Sequence, residues 1–324
     1  MQRSLEKLWY NHHPLRWGLW PFSKLYQGIV SLRRRFLIRF CQHQFAVPVI
    51  VVGNLTVGGV GKTPLVIGLV KAFQEKGLRV GVVSRGYGAA MKHFPHEITK
   101  ADNAREVGDE PLLIFQKSGC PVVIAPKRVD AVRYLLEKFQ SQIIISDDGL
   151  QHYAMGRAIE IVVIDGARGL GNGMCLPAGP LRETAHRLKR ADFVVVNGGK
   201  WPDAFQMTLK PGQLTQVKSG KSMALSQLLM PVAAVAGIGH PERFFTTLAT
   251  EGVSFNAYPF PDHHLYDAAD FKFKEKSVVM TEKDAVKCQA FAADNWYFLP
   301  VEAKLDKAFW QVLWSHEQLK GYFK

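Results

Sequence analysis

Residues 45–64 read Phe45-Ala46-Val47-Pro48-Val49-Ile50-Val51-Val52-Gly53-Asn54-Leu55-Thr56-Val57-Gly58-Gly59-Val60-Gly61-Lys62-Thr63-Pro64. The stretch 45–53 is a short apolar run, the pattern of a strand buried on both faces of a parallel sheet. Downstream, Leu65, Val66, Leu69, Val70 and Phe73 fall on one side of a helix that Gly77 closes. Pro64 suits the first turn of that helix, where its missing N–H costs little. A strand, a glycine loop, Gly-Lys-Thr and a helix make a phosphate cradle. The glycines let backbone N–H groups converge on phosphate oxygens, and the helix start adds a positive dipole end. Lys62 can reach the β- and γ-phosphates and Thr63 can ligate Mg²⁺. The spacing G-x-x-x-x-G-K-[ST] is not met in full, because Thr56 stands where the first glycine belongs. Gly58 and Gly59 supply the turn instead. A plain glycine turn between strand and helix is the competing reading; against it, the intact Gly-Lys-Thr makes Thr56, Val57, Gly58, Gly59, Val60, Gly61, Lys62 and Thr63 the candidate nucleotide-binding residues.

Outward from this loop, further apolar runs recur at 79–84, 121–125, 143–146, 159–164 and 193–196, with helical patterns at 111–117 and 129–139 between some of them. Strand–helix alternation predicts an α/β fold, a mostly parallel P-loop NTPase-like sheet with helices on both faces. Ligands of such sheets sit beyond the C-terminal strand ends, so the polar residues just after each run are the ones to read. After 143–146 come Asp147-Asp148-Gly149-Leu150-Gln151-His152; a strand ending in Asp places a carboxylate near Mg²⁺. An Asp-Gly turn is the alternative there, and His152 fits a structural hydrogen bond as well as an active-site role. Asp109 stands where a loop enters a helix. It reads either as an ordinary cap or as a carboxylate able to accept a proton from an attacking hydroxyl. Arg85, in Arg85-Gly86-Tyr87-Gly88, can meet a phosphate. Arg182 and Glu183, opening a helix after a Gly/Pro-rich loop, read equally well as an exposed charge network.

The chain divides into a basic aromatic segment, 1–44, a P-loop domain, 45–204, a hairpin linker, 205–230, and a smaller α/β domain, 231–324. The linker reading rests on two short strands around Lys210-Pro211-Gly212. In the smaller domain, strands are expected at 232–236, 255–260 and 277–280, with helices at 241–250 and 304–319. His263-His264 follows one of these strands. Paired histidines suggest metal, but no third ligand has suitable spacing; one histidine facing an interdomain cleft could instead assist a carboxylate base. Thr281-Glu282-Lys283-Asp284 is only a weak likeness to a guanine-reading motif.

The 324 residues are 47% hydrophobic and 21% charged, which excludes wholesale disorder, and no apolar run reaches the roughly 20 residues of a spanning helix. The net charge of +13 predicts an anionic partner. Residues 1–40 hold eight basic side chains against Glu6 alone, interleaved with Trp9, Tyr10, Trp17, Trp20, Phe22, Tyr26, Phe36 and Phe40. Apolar spacing from Phe22 to Phe40 fits a helix with one greasy face beside Arg33, Arg34 and Arg35. Such a helix lies on an anionic membrane surface; packing on the protein's own core is the alternative. Bulky apolar neighbours argue against nucleic acid. The four cysteines make no CxxC pair, so neither a zinc site nor a disulfide framework is expected.

Taken together, residues 53–64, Ser84-Arg85-Gly86-Tyr87-Gly88, Gly108-Asp109-Glu110-Pro111, residues 147–152, Leu176-Pro177-Ala178-Gly179-Pro180-Leu181-Arg182-Glu183, Phe260-Pro261-Asp262-His263-His264 and Thr281-Glu282-Lys283-Asp284-Ala285 closely resemble the tetraacyldisaccharide 4'-kinase family of lipid A biosynthesis, nearly end to end. The resemblance implies ATP-dependent phosphorylation of the 4'-hydroxyl of a tetraacyldisaccharide 1-phosphate to give lipid IVA. It implies a monotopic enzyme on the cytoplasmic face of the bacterial inner membrane, with two α/β/α domains, a two-stranded linker, and ATP and Mg²⁺ as co-substrate and cofactor. The lipid A disaccharide precursor and the anionic inner-membrane surface are its partners; no nucleic acid and no obligate protein partner are expected. By position, Asp109 resembles the catalytic base and His263 its dyad partner. Thr63, Asp147, Asp148 and Glu183 fall near the metal, and Arg85, His152 and Arg182 at other active-site positions. A membrane-recruited P-loop ATPase switch is the alternative, weakened because the lysine such proteins place before the paired glycines is Val57 here.

Overall fold

A computed structural model describes residues 8–11 and 13–323. Arg3, Glu6, Lys7 and His12 of the basic segment lie outside the described residues. The strands are β1 (Val49–Gly53), β2 (Val80–Ser84), β3 (His96–Glu97), β4 (Val122–Ile124), β5 (Ile143–Asp147), β6 (Ile159–Asp165), β7 (Phe193–Asn197), β8 (Phe205–Pro211), β9 (Leu214–Gln216), β10 (Ser222–Met223), β11 (Val232–Ala236), β12 (Phe255–Pro259), β13 (Ser277–Thr281), β14 (Trp296–Leu299) and β15 (Val301–Leu305). The helices are α1 (Leu15–Phe40), α2 (Lys62–Glu75), α3 (Ala104–Val107), α4 (Asp109–Ser118), α5 (Arg128–Phe139), α6 (Pro241–Thr250), α7 (Glu282–Cys288) and α8 (Lys307–Ser315).

Nine strands form one sheet in the order β15-β8-β7-β6-β1-β5-β2-β4-β3, parallel from β8 to β4 with antiparallel edges. β1 lies between β5 and β6, and all five of its residues are buried. Its side chains alternate: Ile50 and Val52 join the core under α2, α4 and α8, while Val49 and Val51 join the core under α5. That is why the sequence at β1 is apolar without a break. The second sheet has the order β10-β9-β14-β13-β11-β12, its last four strands parallel. α6 covers one face through Phe244 and Leu248, and α7 the other through Ala285 and Cys288.

The expected hairpin around Lys210-Pro211-Gly212 is not formed. β8 pairs with β7 and with β15, ninety residues further on, whereas β9 belongs to the second sheet beside β14 and β10. The chain therefore leaves the large sheet along β8 and returns alongside it on β15, with the Gly212 N–H donating to the Pro300 carbonyl at 2.9 Å where the two crossings meet. A local turn signal cannot reveal a partner so distant in sequence. The closing helix likewise begins at Lys307, because Val301–Leu305 is needed as a strand, and it returns to the large sheet: Phe309 and Leu313 are fully buried in the core that holds Phe73. Phe309 meets Phe193 edge-on at 5.3 Å between ring centres.

α1 runs for 26 residues and buries only Ser23. Ser23 Oγ donates to the Cys175 carbonyl at 2.6 Å, and Tyr26 Oη to the Arg182 carbonyl at 3.2 Å. Leu15, Phe22, Leu25, Ile29, Leu32, Phe36 and Phe40 form one outward stripe, each more than half exposed. The greasy face read from the sequence thus points away from the core. Among the described residues no helix is long and apolar enough to cross a membrane.

Because Phe309 fastens the returning chain to the large sheet, Phe309→Ala should lower unfolding free energy by about 3–5 kcal/mol in urea titrations. A loss below about 1 kcal/mol would show that α8 does not need that anchor.

Candidate active site

The C-terminal ends of β1, β2, β5 and the loop after β4 open into one cleft of about 770 Å³. The glycine loop forms its floor. Gly58 and Gly61 have φ of 107° and 91°, values that favour glycine. A Cβ on Gly61 would also stand 2.3 Å from Asn197 Nδ2, the group that donates to the Val60 carbonyl and pins the loop to the end of β7. Asn54 braces the loop from within: its amide donates to the Thr56 carbonyl at 2.7 Å, and its Oδ1 accepts from Lys62 Nζ at 3.0 Å. The Val57 N–H donates to the Pro180 carbonyl at 2.9 Å, tying the loop to the segment that carries Arg182. Lys62 is the first residue of α2 and Thr63 the second, so both stand at the positive end of that helix.

The aspartates after β5 have different environments. Asp148, at φ 46°, turns its carboxylate to Lys62 at 3.4 Å and Arg182 at 3.0 Å. Burial raises its pKa, but Lys62, Arg182 and Arg128 outweigh burial and hold it well below the usual range. Asp147 is buried, and its Oδ1 has no hydrogen-bond partner. Burial, then the nearby Glu110 charge, push its carboxyl up to about 7. A buried carboxylate with an open oxygen beside a phosphate cradle fits a bound divalent cation. Among the described residues no three His, Cys, Asp or Glu side chains cluster as a metal cage. Glu183 is engaged elsewhere, by Tyr153 Oη and by Gln151 Nε2 at 3.1 Å. His152 Nε2 accepts from the Arg128 N–H at 3.3 Å, and burial with Arg128 and Arg157 brings its pKa down to about 4, so the ring is neutral. Arg85 is exposed at the cleft rim.

Opposite the cradle, Asp109 opens α4 with its carboxylate buried. Its main partner comes from the other sheet: His263 Nδ1 lies 3.1 Å from both Asp109 oxygens. A carboxylate only accepts, so Nδ1 carries the proton. His263 holds φ 58°, an unfavourable backbone for a ring-bearing residue, and its own N–H donates to Asp262 Oδ1 at 3.1 Å. Lys283 Nζ lies 2.9 Å from Glu110, 3.3 Å from Asp262 and 3.7 Å from Asp109. Burial pushes the Asp109 carboxyl up, but the His263 hydrogen bond and the Lys283 and Lys287 charges bring it down to about 2. The same hydrogen bond raises the His263 pKa. His264 turns away to Asp270 at 3.0 Å.

The structure thus lines one cleft with Val57, Gly58, Gly59, Lys62, Arg85, Asp109, Asp147, Asp148, His152, Arg182 and His263. It also brings in residues the sequence reading passed over: Glu110, Arg128, Asp262, Lys283 and, under the loop, Asn54 and Asn197. Arg128 lay three residues past the 121–125 strand, where the strand-end rule could have found it. Lys283 stood in a string read only as a weak guanine motif. Asn197 gave no local signal.

A phosphate cradle facing a buried carboxylate–imidazole pair defines a P-loop phosphotransferase. The model of the family described as Tetraacyldisaccharide-1-P 4'-kinase matches residues 15–318. The chain is 56% identical over 323 residues to the tetraacyldisaccharide 4'-kinase of Legionella pneumophila (strain Lens), covering all of both chains. It is 50% identical to that of Shewanella sp. (strain MR-4), covering 97% of this chain and 95% of that one. LpxK from Aquifex aeolicus, solved in complex with ATP, superimposes with a TM-score of 0.79 at 29% identity, covering 96% of this chain and all of that one. The chain belongs to the tetraacyldisaccharide 4'-kinase family.

In Asp109→Asn the neutral amide withdraws the charge that raises His263. Its imidazole titration, followed by NMR, should fall toward the ordinary value of 6.5. An unchanged titration would mean that Asp109 does not govern His263.

Proposed function

We propose that this protein transfers the γ-phosphoryl group of ATP to the 4'-hydroxyl of a tetraacyldisaccharide 1-phosphate, giving lipid IVA. One observation carries the reading: a single cleft holds the phosphate cradle, the Asp109–His263 pair and the inner side of α1 through Tyr26, Val30 and Arg33. Donor, proton acceptor and lipid-side helix therefore meet in one space.

Phosphoryl transfer demands positioning and charge neutralisation more than covalent chemistry. The loop amides, Lys62 and the start of α2 receive the triphosphate. Thr63 and Asp147 are the residues that would hold Mg²⁺, which neutralises phosphate charge when bound. Asp148, held by Lys62 and Arg182, keeps those two cations aligned. Asp109 accepts the proton of the attacking hydroxyl. Its low pKa suits a transfer that comes late, when the hydroxyl proton has become acidic. His263 keeps the carboxylate oriented and its charge tolerable in a buried site. The residues between the β8 and β15 crossings, 212–300, form the domain that closes over the nucleotide; its Gly239 packs so tightly on the loop that a Cβ there would stand 2.6 Å from the Gly59 nitrogen.

The outward stripe of α1 inserts among acyl chains, and Arg33, Arg34, Arg35 and Arg39 meet anionic headgroups. Because the donor is ATP, the membrane face involved is the cytoplasmic face of the bacterial inner membrane.

Purified protein supplied with γ-labelled ATP, Mg²⁺ and tetraacyldisaccharide 1-phosphate should place label in a glycolipid; release of free phosphate alone would overturn the reading. Asp109→Asn should lower kcat by about 10²–10⁴-fold while ATP affinity stays near normal. Lys62→Ala should instead weaken nucleotide binding itself, measured by calorimetry.

A further inference from the structure

α1 has a second flank. Beside the catalytic cleft, a second pocket of about 440 Å³ lies between α1 and the segment 182–190. Its charged lining is Lys24, Arg34, Arg182, Arg187, Arg190 and Glu183, five cations against one carboxylate. That carboxylate is already taken by Tyr153 and Gln151. Arg187 is 4% exposed and is held by Glu160, yet its Nη1 has no hydrogen-bond partner. Arg34 stacks over the Tyr153 ring at 5.4 Å, with its Nε likewise buried and unpartnered. Buried guanidinium nitrogens without acceptors are costly unless an anion supplies them, and guanidinium forks match a phosphate's oxygens. Arg182 and Val30 line both this pocket and the catalytic cleft, so the two are neighbours across the helix.

We propose that this pocket is a second anion site, which takes a phosphate monoester or diester carried on a lipid at the membrane surface. Two sources have that chemistry: the 1-phosphate of the acceptor disaccharide and the headgroup of an anionic phospholipid. The pocket opens beside a helix whose outer stripe is apolar, so a lipid-borne phosphate reaches it without leaving the interface. The binding claim stands apart from the kinase reading; only the acceptor arm of the test rests on that reading.

The test uses the full chain, saturated with ADP and Mg²⁺ in the vesicle arm so that the catalytic cradle is filled, and supplied with ATP and Mg²⁺ in the kinase arm. Lys24→Gln with Arg190→Gln removes two exposed cations of the pocket; Arg35→Gln with Arg39→Gln is the charge-matched control on the same helix, outside the pocket. In sedimentation with phosphatidylcholine vesicles containing phosphatidylglycerol, a headgroup site predicts that the pocket variant binds roughly tenfold more weakly than the control. In kinase assays, an acceptor site predicts a KM roughly tenfold higher for the pocket variant than for the control with the 1-phosphorylated acceptor, with kcat kept, and no such difference for an acceptor lacking that phosphate. Either result supports the site and names its source. If pocket and control variants behave alike in both assays, the proposal is overturned. Should the wild type transfer no phosphate at all, the vesicle arm decides alone: an equal loss in both variants overturns the site.

Discussion

A carboxylate buried in one half of the molecule and neutralised from the other governs its arrangement. Asp109 is almost without solvent, and an isolated charge there would cost several kcal/mol. His263, Lys283 and Lys287, all beyond the β8 crossing, supply the compensation. The site is therefore complete only when the two halves are together. Exposed pairs such as Lys218–Asp294 carry no comparable weight, because water already solvates both partners.

The remaining contacts between the halves reinforce the same closure. Arg243 donates to Asp165, at the end of β6, at 2.9 Å, and to the carbonyl of Asn197 at 3.4 Å. Asn197 in turn pins the glycine loop. Lys283 joins Glu110 across the divide, and Arg105 donates to the Tyr266 carbonyl at 3.0 Å. The cradle, Asp109 and the second sheet are thus one electrostatic unit, which suits a reaction in which water must be kept from an activated phosphate.

α1 obeys a different constraint. It is fastened by a few polar contacts, Ser23 and Tyr26 among them, and leaves its apolar residues outside. A helix fastened in that way separates two polar pockets and offers hydrocarbon to the surroundings. Arg33, Arg35 and Arg39 stand exposed on the same helix as that apolar stripe.

Much of this was legible in the residues. The apolar β1 run, Gly-Lys-Thr and the strand-end Asp147 and Asp148 are local patterns, each dictated by backbone geometry or by chemistry at a fixed spacing. They were enough for the P-loop sheet, and the coincidence of short strings was enough for the family. Other features depend on distant partners. The β8–β15 pairing replaced the expected hairpin because strand partners ninety residues apart leave no mark in a local window. Glu183 was legible as a carboxylate at the site, but only the fold shows that Tyr153 and Gln151 donate to it. Which of two adjacent aspartates keeps an open oxygen, and that Lys283 rather than a base-reading motif serves the Asp109 pair, follow from burial and from charges brought within 4 Å. Residue types and short spacings determined what chemistry was available; only the tertiary structure decided which groups face one another, because electrostatic partnership depends on distance through space, and the sequence records distance only along the chain.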